Sequence, residues 1–293
     1  MRVLVTGANG MLGIDVSAML AAAGHEAIRT DVGAREGVSV QPWIPLDITN
    51  TQAVIDCINE KKPDFVFHGA AYTDVDGCER NPDLAYKING LGTWNLASAC
   101  GSSGVKMIYI STDFVFDGKK TTPYTEFDSP NPLSHYGASK LAGEKYVAQL
   151  CREHFILRTS WLFGVNGPNF PGKMLDLAKT KPELSVVVDQ IGSPTHTRDL
   201  ARIAISQLDR SLYGTYHVSN SGSCSWYEFA KTAIEKAGIK NVVVHPQPAA
   251  SWPSPTQRPA YSVMRRYALE LQGRDDLKPW QEALDDFLEL RRS

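Results

Sequence analysis

A tyrosine and a lysine four residues apart are the strongest candidates for catalysis in this sequence. Tyr136 and Lys140 stand in the segment YGASK, at the predicted start of a helix. Residues four apart on a helix share one face, so the phenol and the ammonium can reach each other. A free tyrosine has a pKa of about 10, and a neighbouring cation favours its phenolate. The pair therefore predicts general acid–base chemistry, although this spacing is also common by chance.

A threonine at the end of a predicted strand completes the candidate set. Thr112 closes the β-branched run IYIST, and open parallel sheets bind ligands beyond the carboxyl ends of their strands. A hydroxyl at that point can hydrogen-bond the carbonyl oxygen of a substrate that Tyr136 protonates. The simpler alternatives are a strand-end cap for Thr112 and an amphipathic surface position for Tyr136.

A glycine-rich turn predicts a nucleotide site. The segment GANGMLG follows the first predicted strand and opens the first predicted helix, with glycines at positions 7, 10 and 13. Such glycines allow a tight turn and a close approach to a pyrophosphate, which the helix N-terminus attracts. The second glycine lies one residue later than in the usual dinucleotide fingerprint. The alternative is a plain turn between a strand and a helix.

Charged residues near this turn concern the adenosine half of a dinucleotide. Asp31 follows the second predicted strand, where a carboxylate binds the 2′-hydroxyl and repels a 2′-phosphate. Arg29 lies two residues earlier, so the choice between NADH and NADPH stays open, and both charges can also be simply solvated. Asp47 follows a short apolar stretch and could contact the adenine amino group.

The elements that must position these residues alternate between β-branched runs and helical patterns, which is typical of parallel βαβ units. The strands predicted in the first half span residues 3–6, 26–30, 65–67, 107–111 and 155–161. The helices predicted there span residues 10–24, 51–60, 83–100 and 139–154. Together they predict an α/β fold with a Rossmann-type doubly wound parallel sheet.

The pattern changes near residue 165, and shorter elements follow. The strands predicted beyond that point span residues 185–189, 213–219 and 241–245, before a final helix over residues 277–291. A proline-rich stretch over residues 246–259 predicts a surface or substrate-facing loop. We therefore predict a dinucleotide-binding domain over residues 1–165 and a smaller α/β substrate lobe over residues 166–293, with some segments returning to the first domain.

Composition excludes several classes of protein. The 293 residues include 30 Lys and Arg against 32 Asp and Glu, without a long basic run, so nucleic acid is not an expected partner. No apolar run reaches the ~18 residues of a membrane span, and no signal-peptide pattern is present, so we expect a cytoplasmic protein without a membrane partner. The five cysteines and seven histidines lack metal-ligand spacing, so no metal site is expected.

Several motifs together resemble those of the extended short-chain dehydrogenase/reductases. These motifs are GANGMLG (7–13), HGAAYTDVDGCE (68–79), INGLGTWNLA (88–97), STDFVFDG (111–118), YGASK (136–140) and RTSWLFG (158–164). Within that group the chain is most similar to the dTDP-4-dehydrorhamnose reductase family, because GSPTHTRDLA (192–201) and RPAYSV (258–263) resemble its second-lobe signatures. The resemblance covers essentially the whole chain.

The resemblance implies a role for each matching residue. Thr112, Tyr136 and Lys140 would be catalytic, and Asn89 would support the lysine through backbone and water contacts. The cofactor would be held by Gly7, Asn9, Gly10, Met11, Leu12, Gly13, Asp31, Asp47, Ile48, Ala70, Ala71, Tyr72, Asn89, Tyr136 and Lys140. The substrate would be held by Thr73, Asp113, Trp161 and Arg258.

The resemblance also implies a reaction. The chain would use NADPH or NADH to reduce the C4 ketone of a nucleotide-linked 4-keto-6-deoxysugar, converting dTDP-4-dehydro-L-rhamnose to dTDP-L-rhamnose for cell-surface polysaccharide synthesis. A homodimer is a further expectation. A sugar-nucleotide epimerase and a non-catalytic NAD(P)-binding regulatory subunit are the alternatives. A dehydratase is disfavoured because Phe114 stands where its second acid would follow Asp113. The sequence departs from the family pattern at His68-Gly69, His135 and Met264-Arg265-Arg266. These departures affect the expected identity of the sugar more than the expected class of reaction.

Overall fold

A computed structural model describes residues 1–33 and 42–292 of the chain. The strands of this structure are β1 (Arg2–Thr6), β2 (Glu26–Asp31), β3 (Ile44–Pro45), β4 (Phe65–His68), β5 (Lys106–Thr112), β6 (His154–Thr159), β7 (Leu162–Phe163), β8 (Glu183–Val187), β9 (Ile191–Gly192), β10 (Thr195–His196), β11 (Gly214–His217), β12 (Cys224–Ser225) and β13 (Val243–Gln247). Seven of them form one parallel sheet in the order β11-β6-β5-β4-β1-β2-β3.

This strand order confirms the predicted Rossmann-type doubly wound sheet. The order reverses direction between β1 and β4, and ligands of such sheets bind at the carboxyl ends of the strands near that reversal. Because all seven strands are parallel, their carboxyl ends share one edge of the sheet. Thr6, His68 and Thr112, which end β1, β4 and β5, therefore lie along that edge.

The helices cover the sheet and build the second lobe. They are α1 (Met11–Ala22), α2 (Thr51–Lys61), α3 (Val75–Arg80), α4 (Pro82–Ala85), α5 (Thr93–Ser103), α6 (His135–Leu150), α7 (Phe170–Ala178), α8 (Thr197–Ile205), α9 (Trp226–Lys236), α10 (Tyr267–Leu271) and α11 (Trp280–Arg292). A π-helical turn (Tyr86–Gly92) precedes α5, and short 3₁₀ turns lie at Asp113–Val115 and Ala249–Ser251.

Both faces of the sheet are buried, which explains the continuous apolar runs of its strands. Side chains alternate between the two faces along a strand, so Val3 and Val5 pack toward α1 and α8 while Leu4 packs toward α2 and α5. All four residues of β4 are buried. A separate apolar core, with Phe229 and Phe287 at its centre, joins α7, α9 and α11 in the second lobe.

Several predicted elements differ from the observed ones, and the stretch predicted as a loop over residues 246–259 begins with the last two residues of β13. The helix predicted over residues 139–154 begins at His135, because the side chain of Ser134 caps it by accepting a hydrogen bond from Gly137 N at 3.1 Å. The helix predicted over residues 83–100 is interrupted by the π-helical turn. The strand predicted over residues 213–219 is β11, which pairs with β6 in the main sheet. The boundary near residue 165 stays a prediction.

Two surveys of the described residues complete the fold. Among residues 1–33 and 42–292, no helix is both long and apolar enough for a membrane crossing. In the same ranges, no three His, Cys, Asp or Glu side chains are grouped so that they could hold a metal ion.

Candidate active site

Three polar side chains meet beyond the carboxyl end of β5. Thr112 ends that strand, and its hydroxyl donates to Asp113 Oδ1 at 3.1 Å and lies close enough to the side chain of Tyr136 to influence its pKa. Phe114 N also donates to Thr112 Oγ1 at 3.2 Å, which fixes the turn after the strand. Tyr136 arrives from the first turn of α6. The predicted pairing of a threonine with the tyrosine is thus present at the expected edge of the sheet.

The environment of Tyr136 differs from the one expected from its spacing to Lys140. Burial raises the pKa of the phenol above its ordinary value, the hydrogen bond with Thr112 opposes this shift, and Asp113 and Cys78 add to it. We expected the ammonium of Lys140 to lower this pKa, but its Nζ lies instead over the ring of Tyr109, 4.2 Å from the centre. The phenol therefore keeps its proton at neutral pH and can act as a proton donor.

Lys140 is buried one helical turn after Tyr136. Burial lowers the pKa of its ammonium to about 7, and the carboxylate of Glu144 opposes the shift. Glu144 itself is held by Arg158, with 2.7 Å between its Oε2 and the arginine Nη2, and by the hydroxyl of Ser111. Lys140 can therefore gain or lose a proton near neutral pH.

Asp113 carries an unusual carboxyl group. Burial raises its pKa to about 6, against hydrogen bonds from Ser262 and Thr112. Its Oδ2 is buried and has no hydrogen-bond partner among the described residues. Buried polar atoms without a partner are rare in proteins, so this oxygen is a candidate acceptor for a hydroxyl of a bound ligand.

The glycine turn fits a pyrophosphate. Gly7 has φ +67°, and a Cβ on Gly13 would lie 2.1 Å from Gly7 O, so both positions require glycine. Helix α1 begins directly after its cap residue Gly10, which has no side chain to accept a hydrogen bond from the N–H groups of the first turn. The N–H groups at Met11 and Leu12 thus open a helix N-terminus that suits an anion.

The residues predicted at the adenosine end are engaged with the backbone. Asp31 accepts hydrogen bonds from Asn9 N at 2.9 Å and Val32 N at 2.8 Å. Arg29 is buried, and its Nη2 donates to Ala8 O at 2.9 Å and to the side chain of Asn9 at 3.2 Å. These contacts stabilise the glycine turn through its residues Ala8 and Asn9.

The second pair of residues predicted at the adenine lies further along the chain. Asp47 accepts from the backbone N–H and the hydroxyl of Thr49, both at 2.8 Å. Ile48 is buried and approaches Gly92, where a Cβ would lie 2.7 Å from the isoleucine side chain. The structure thus places Asp47 in a turn and Ile48 against the π-helical turn.

Asn89 connects the segment after β4 to the helix that carries Tyr136. Its Oδ1 accepts from Tyr72 N at 2.8 Å, and its Nδ2 donates to Tyr72 O at 3.1 Å and Ser139 Oγ at 3.1 Å. Ser139 donates in turn to Tyr136 O at 2.9 Å. The segment after β4, which includes Ala70 and Ala71, is therefore joined to the start of α6.

The remaining predicted substrate residues lie in two groups. Trp161 has φ +46°, a strained conformation, and its ring stacks on that of Trp226 at 3.5 Å between centres. Gly192 lies against the Trp161 ring, where a Cβ would come within 2.4 Å. Sequence reasoning missed Trp226, because no local pattern in the sequence connects it to Trp161.

Arg258 belongs to the other group. Its Nη2 donates to Asp76 Oδ1 at 2.9 Å, and the hydroxyls of Ser254 and Thr256 donate to the same oxygen. The proline-rich loop is thereby fastened to α3. Thr73, the remaining predicted substrate residue, is exposed just before that helix.

Comparisons with known proteins agree with this arrangement. The profile of the family described as RmlD substrate binding domain matches residues 1–292. The spore coat polysaccharide biosynthesis protein SpsK of Bacillus subtilis is 42% identical, over 100% of this chain and 98% of the relative. A dTDP-4-dehydrorhamnose reductase structure from Clostridium acetobutylicum is 46% identical with a TM-score of 0.93, over 100% of both chains.

A second solved structure contains a nucleotide. It is a dTDP-4-dehydrorhamnose reductase of Bacillus anthracis in complex with NADP, 42% identical with a TM-score of 0.91 over 99% of both chains. The family profile and both solved structures match essentially the full length of this chain. The chain belongs to the dTDP-4-dehydrorhamnose reductase family of the extended short-chain dehydrogenase/reductases.

Proposed function

We propose that this chain reduces the C4 ketone of dTDP-4-dehydro-L-rhamnose to give dTDP-L-rhamnose, with NADPH or NADH as the reductant. The observation that carries the proposal is that Thr112 and a protonated, half-buried Tyr136 lie together at the carboxyl edge of the sheet. The names of its relatives support the same reaction. A product of this kind suits the synthesis of a surface polysaccharide, as the name of SpsK indicates for that protein.

The proposed roles follow from the protonation states of the residues. A bound nicotinamide supplies the hydride that adds to the ketone carbon. Tyr136 gives its proton to the ketone oxygen, so that the carbonyl becomes a hydroxyl. The Thr112 hydroxyl hydrogen-bonds the same oxygen and stabilises the charge that develops there. Lys140, whose pKa is about 7, can hold or release a proton behind the phenol without a large free-energy cost.

The cofactor residues are proposed on the fit of the glycine turn. Gly7, Gly10 and Gly13 leave space for the pyrophosphate, and the first turn of α1 gives it N–H groups. Asp31 and Asp47 would face the adenosine, and the segment of Ala70, Ala71 and Tyr72 would lie near the nicotinamide half. Asn89 would hold that segment in place through its three hydrogen bonds.

The substrate residues are proposed on their burial and contacts. The unpaired Oδ2 of Asp113 would accept a hydrogen bond from a sugar hydroxyl. Trp161, Thr73 and Arg258 would line the region that holds the nucleotide sugar. The homodimer, the cytoplasmic location and the lack of a nucleic-acid partner stay predictions of the sequence.

The test uses the purified full-length chain. NADPH and NADH are titrated separately by their fluorescence, and dTDP-4-dehydro-L-rhamnose is then added while the absorbance of the reduced nicotinamide is followed. We expect one cofactor molecule oxidised for each dTDP-L-rhamnose formed, as measured by chromatography of the product. Conversion of the keto sugar to an epimer, without net oxidation of the nicotinamide, would indicate an epimerase. Cofactor binding without any conversion of the sugar would indicate a regulatory subunit.

A further inference from the structure

We propose that His68 is a positioning residue that holds both Lys140 and Asn89 in the geometry of the site. The proposal rests on the proposed function, since it assigns a support to two residues of that reaction. His68 ends β4 and is completely buried at the carboxyl edge of the sheet. Both of its ring nitrogens have partners, so the imidazole has a fixed orientation.

The first contact joins β4 to β1. The Nδ1 atom of His68 lies 2.8 Å from Thr6 Oγ1, and the same hydroxyl accepts a hydrogen bond from Ala70 N at 3.3 Å. Ala70 N lies 2.8 Å from the position that a Cβ on Gly7 would take. The imidazole is therefore anchored beside the glycine turn and the segment proposed for the nicotinamide.

The second contact joins β4 to the helix on the opposite side. The Nε2 atom lies 3.0 Å from Thr93 Oγ1, and this hydroxyl donates its hydrogen to Asn89 O at 2.7 Å. A hydroxyl has one hydrogen to donate, so toward His68 it acts as an acceptor and Nε2 carries the ring proton. Nδ1 is then unprotonated and accepts from Thr6, which assigns a neutral imidazole with one defined tautomer.

This chain of hydrogen bonds ends on the π-helical turn that contains Asn89. Turns of this kind leave backbone groups without ordinary helical partners and are frequent at functional sites. The Thr93 hydroxyl supplies a partner for the carbonyl of Asn89, whose side chain binds Tyr72 and Ser139. His68 thus fixes the place of Asn89 through one intervening hydroxyl.

The ring of His68 also supports Lys140. It packs on Tyr109 with 5.3 Å between ring centres, and Tyr109 in turn contacts Lys140 and the side chain of Thr93. The Tyr109 hydroxyl donates to Lys140 O at 3.2 Å, and its ring lies 4.2 Å from Lys140 Nζ. A cation over an aromatic ring is attracted to its face, so the position of Tyr109 decides where the ammonium sits.

A charged imidazole could not accept the hydrogen bond from Thr6, because both of its ring nitrogens carry protons. Burial and the nearby ammonium of Lys140 both lower the pKa of His68 well below its ordinary value. The ring therefore stays neutral beside Lys140, so charge repulsion does not disturb its two hydrogen bonds. The geometry alone distinguishes His68 from a purely space-filling residue, because a space-filling residue needs no fixed tautomer.

The experiment compares four single variants of the full-length chain and the double variant that combines His68→Phe with Thr93→Val. His68→Phe keeps a ring against Tyr109 but removes both hydrogen bonds, and Thr93→Val removes the hydroxyl between His68 and Asn89. Thr93→Ser restores that hydroxyl and is the conservative variant. His154→Phe is the control, because His154 is a partly buried histidine at the amino end of β6, away from the site. Thermal melting establishes which variants are folded.

Loss of positioning should lower kcat about tenfold in His68→Phe and in Thr93→Val, with the KM of the sugar nearly unchanged. The double variant should lose no more than either single variant, since both break one chain of contacts. Thr93→Ser and His154→Phe should keep the wild-type rate. A folded Thr93→Val with the wild-type kcat, or losses that multiply in the double variant, would overturn the proposal.

A spectroscopic measurement tests the same proposal without turnover and without the variants. Nitrogen chemical shifts of the wild-type His68 ring, recorded between about pH 5 and 8, should show a neutral imidazole with its proton on Nε2. A doubly protonated ring, or a proton on Nδ1, would contradict the assignment even if the enzyme is active. Failure of the wild type to reduce the sugar would instead contradict the proposed function and leave this measurement intact.

Discussion

The two halves of the candidate site are assembled in different ways. At the carboxyl edge of the sheet, Thr112 contacts its neighbour Asp113 and the next helix along the chain, through Tyr136. In the group around the second lobe, Arg258 pairs with Asp76, which lies 182 positions earlier in the chain. Trp161, between β6 and β7, stacks on Trp226 of α9. The first group rests on the most buried part of the fold, whereas the second depends on contacts between distant segments.

This difference separates the expected roles of the two groups. Groups on a rigid sheet can hold reacting atoms within a narrow geometry, which affects the rate of the chemical step. Groups on loops and on a separate core mainly determine how well a ligand is bound. Variants of the sheet-edge group should therefore change kcat, and variants of the second-lobe group should change KM.

The largest expected effect in this series is that of Thr112→Val. Loss of a hydroxyl that stabilises the developing charge should lower kcat about 10²-fold or more, with little change in the KM of the sugar. Steady-state kinetics with dTDP-4-dehydro-L-rhamnose give both constants. Thr112→Ser keeps the hydroxyl and should retain most of the rate. Equal losses in Val and Ser variants would show that the methyl group, and hence packing, is what matters.

Asp113→Asn should increase stability at pH 8 while lowering activity. The pKa of Asp113 is raised from 3.8 to about 6, so the charged form destabilises the folded state above about pH 6, by roughly 3 kcal/mol. Below pH 3.8 the carboxyl is neutral in both states, and the difference between variant and wild type should vanish. Urea unfolding at several pH values measures this. A variant that is less stable at pH 8 would mean that the charged carboxylate is stabilised in the fold.

Trp226→Ala tests the second-lobe group. Removal of the ring on which Trp161 stacks should raise the KM of the nucleotide sugar about tenfold and leave kcat within a factor of two or so. Val243→Ala, at an exposed position of β13, is the control and should change neither constant. A fall in kcat with unchanged KM would remove the proposed division between the two groups.

Asp76→Asn should have the smallest effect. Its ion pair with Arg258 is partly exposed, and such pairs contribute about 1 kcal/mol or less. We expect a decrease in Tm of about 2–4 °C and a modest rise in KM, since the proline-rich loop loses its main acceptor on α3. Glu26→Gln breaks the more exposed pair with Arg2 and should leave Tm unchanged. A large fall in kcat would place Asp76 in the chemistry.

The comparison also explains what could be predicted from the sequence. The parallel sheet, the glycine turn and the contact of Thr112 with Tyr136 follow from local patterns, because strand ends and helix starts fix where neighbouring residues lie. The start of α6 at His135 was missed, although Ser134 is a typical capping residue. The error shifted the helix by one turn without moving Tyr136 from the edge of the sheet.

Other features had no local signal. The direction of the Tyr136 pKa depends on burial and on which groups face the phenol, and residue spacing reports neither. Trp226 and the contact between Asp76 and Arg258 depend on how the second lobe packs, which the periodicity of its short elements did not reveal. The support of Lys140 by Tyr109 and His68 likewise requires the strand order of the sheet.

The most direct test of the central claim is the turnover of Tyr136→Phe. Enzyme preloaded with NADPH is mixed with dTDP-4-dehydro-L-rhamnose, and oxidation of the nicotinamide is followed in a single turnover, after fluorescence titration has established cofactor binding. Without the proton donor, the rate should fall by about 10³-fold or more while the affinity for NADPH stays close to that of the wild type. A variant that reduces the sugar at nearly the wild-type rate would show that the proton comes from another group.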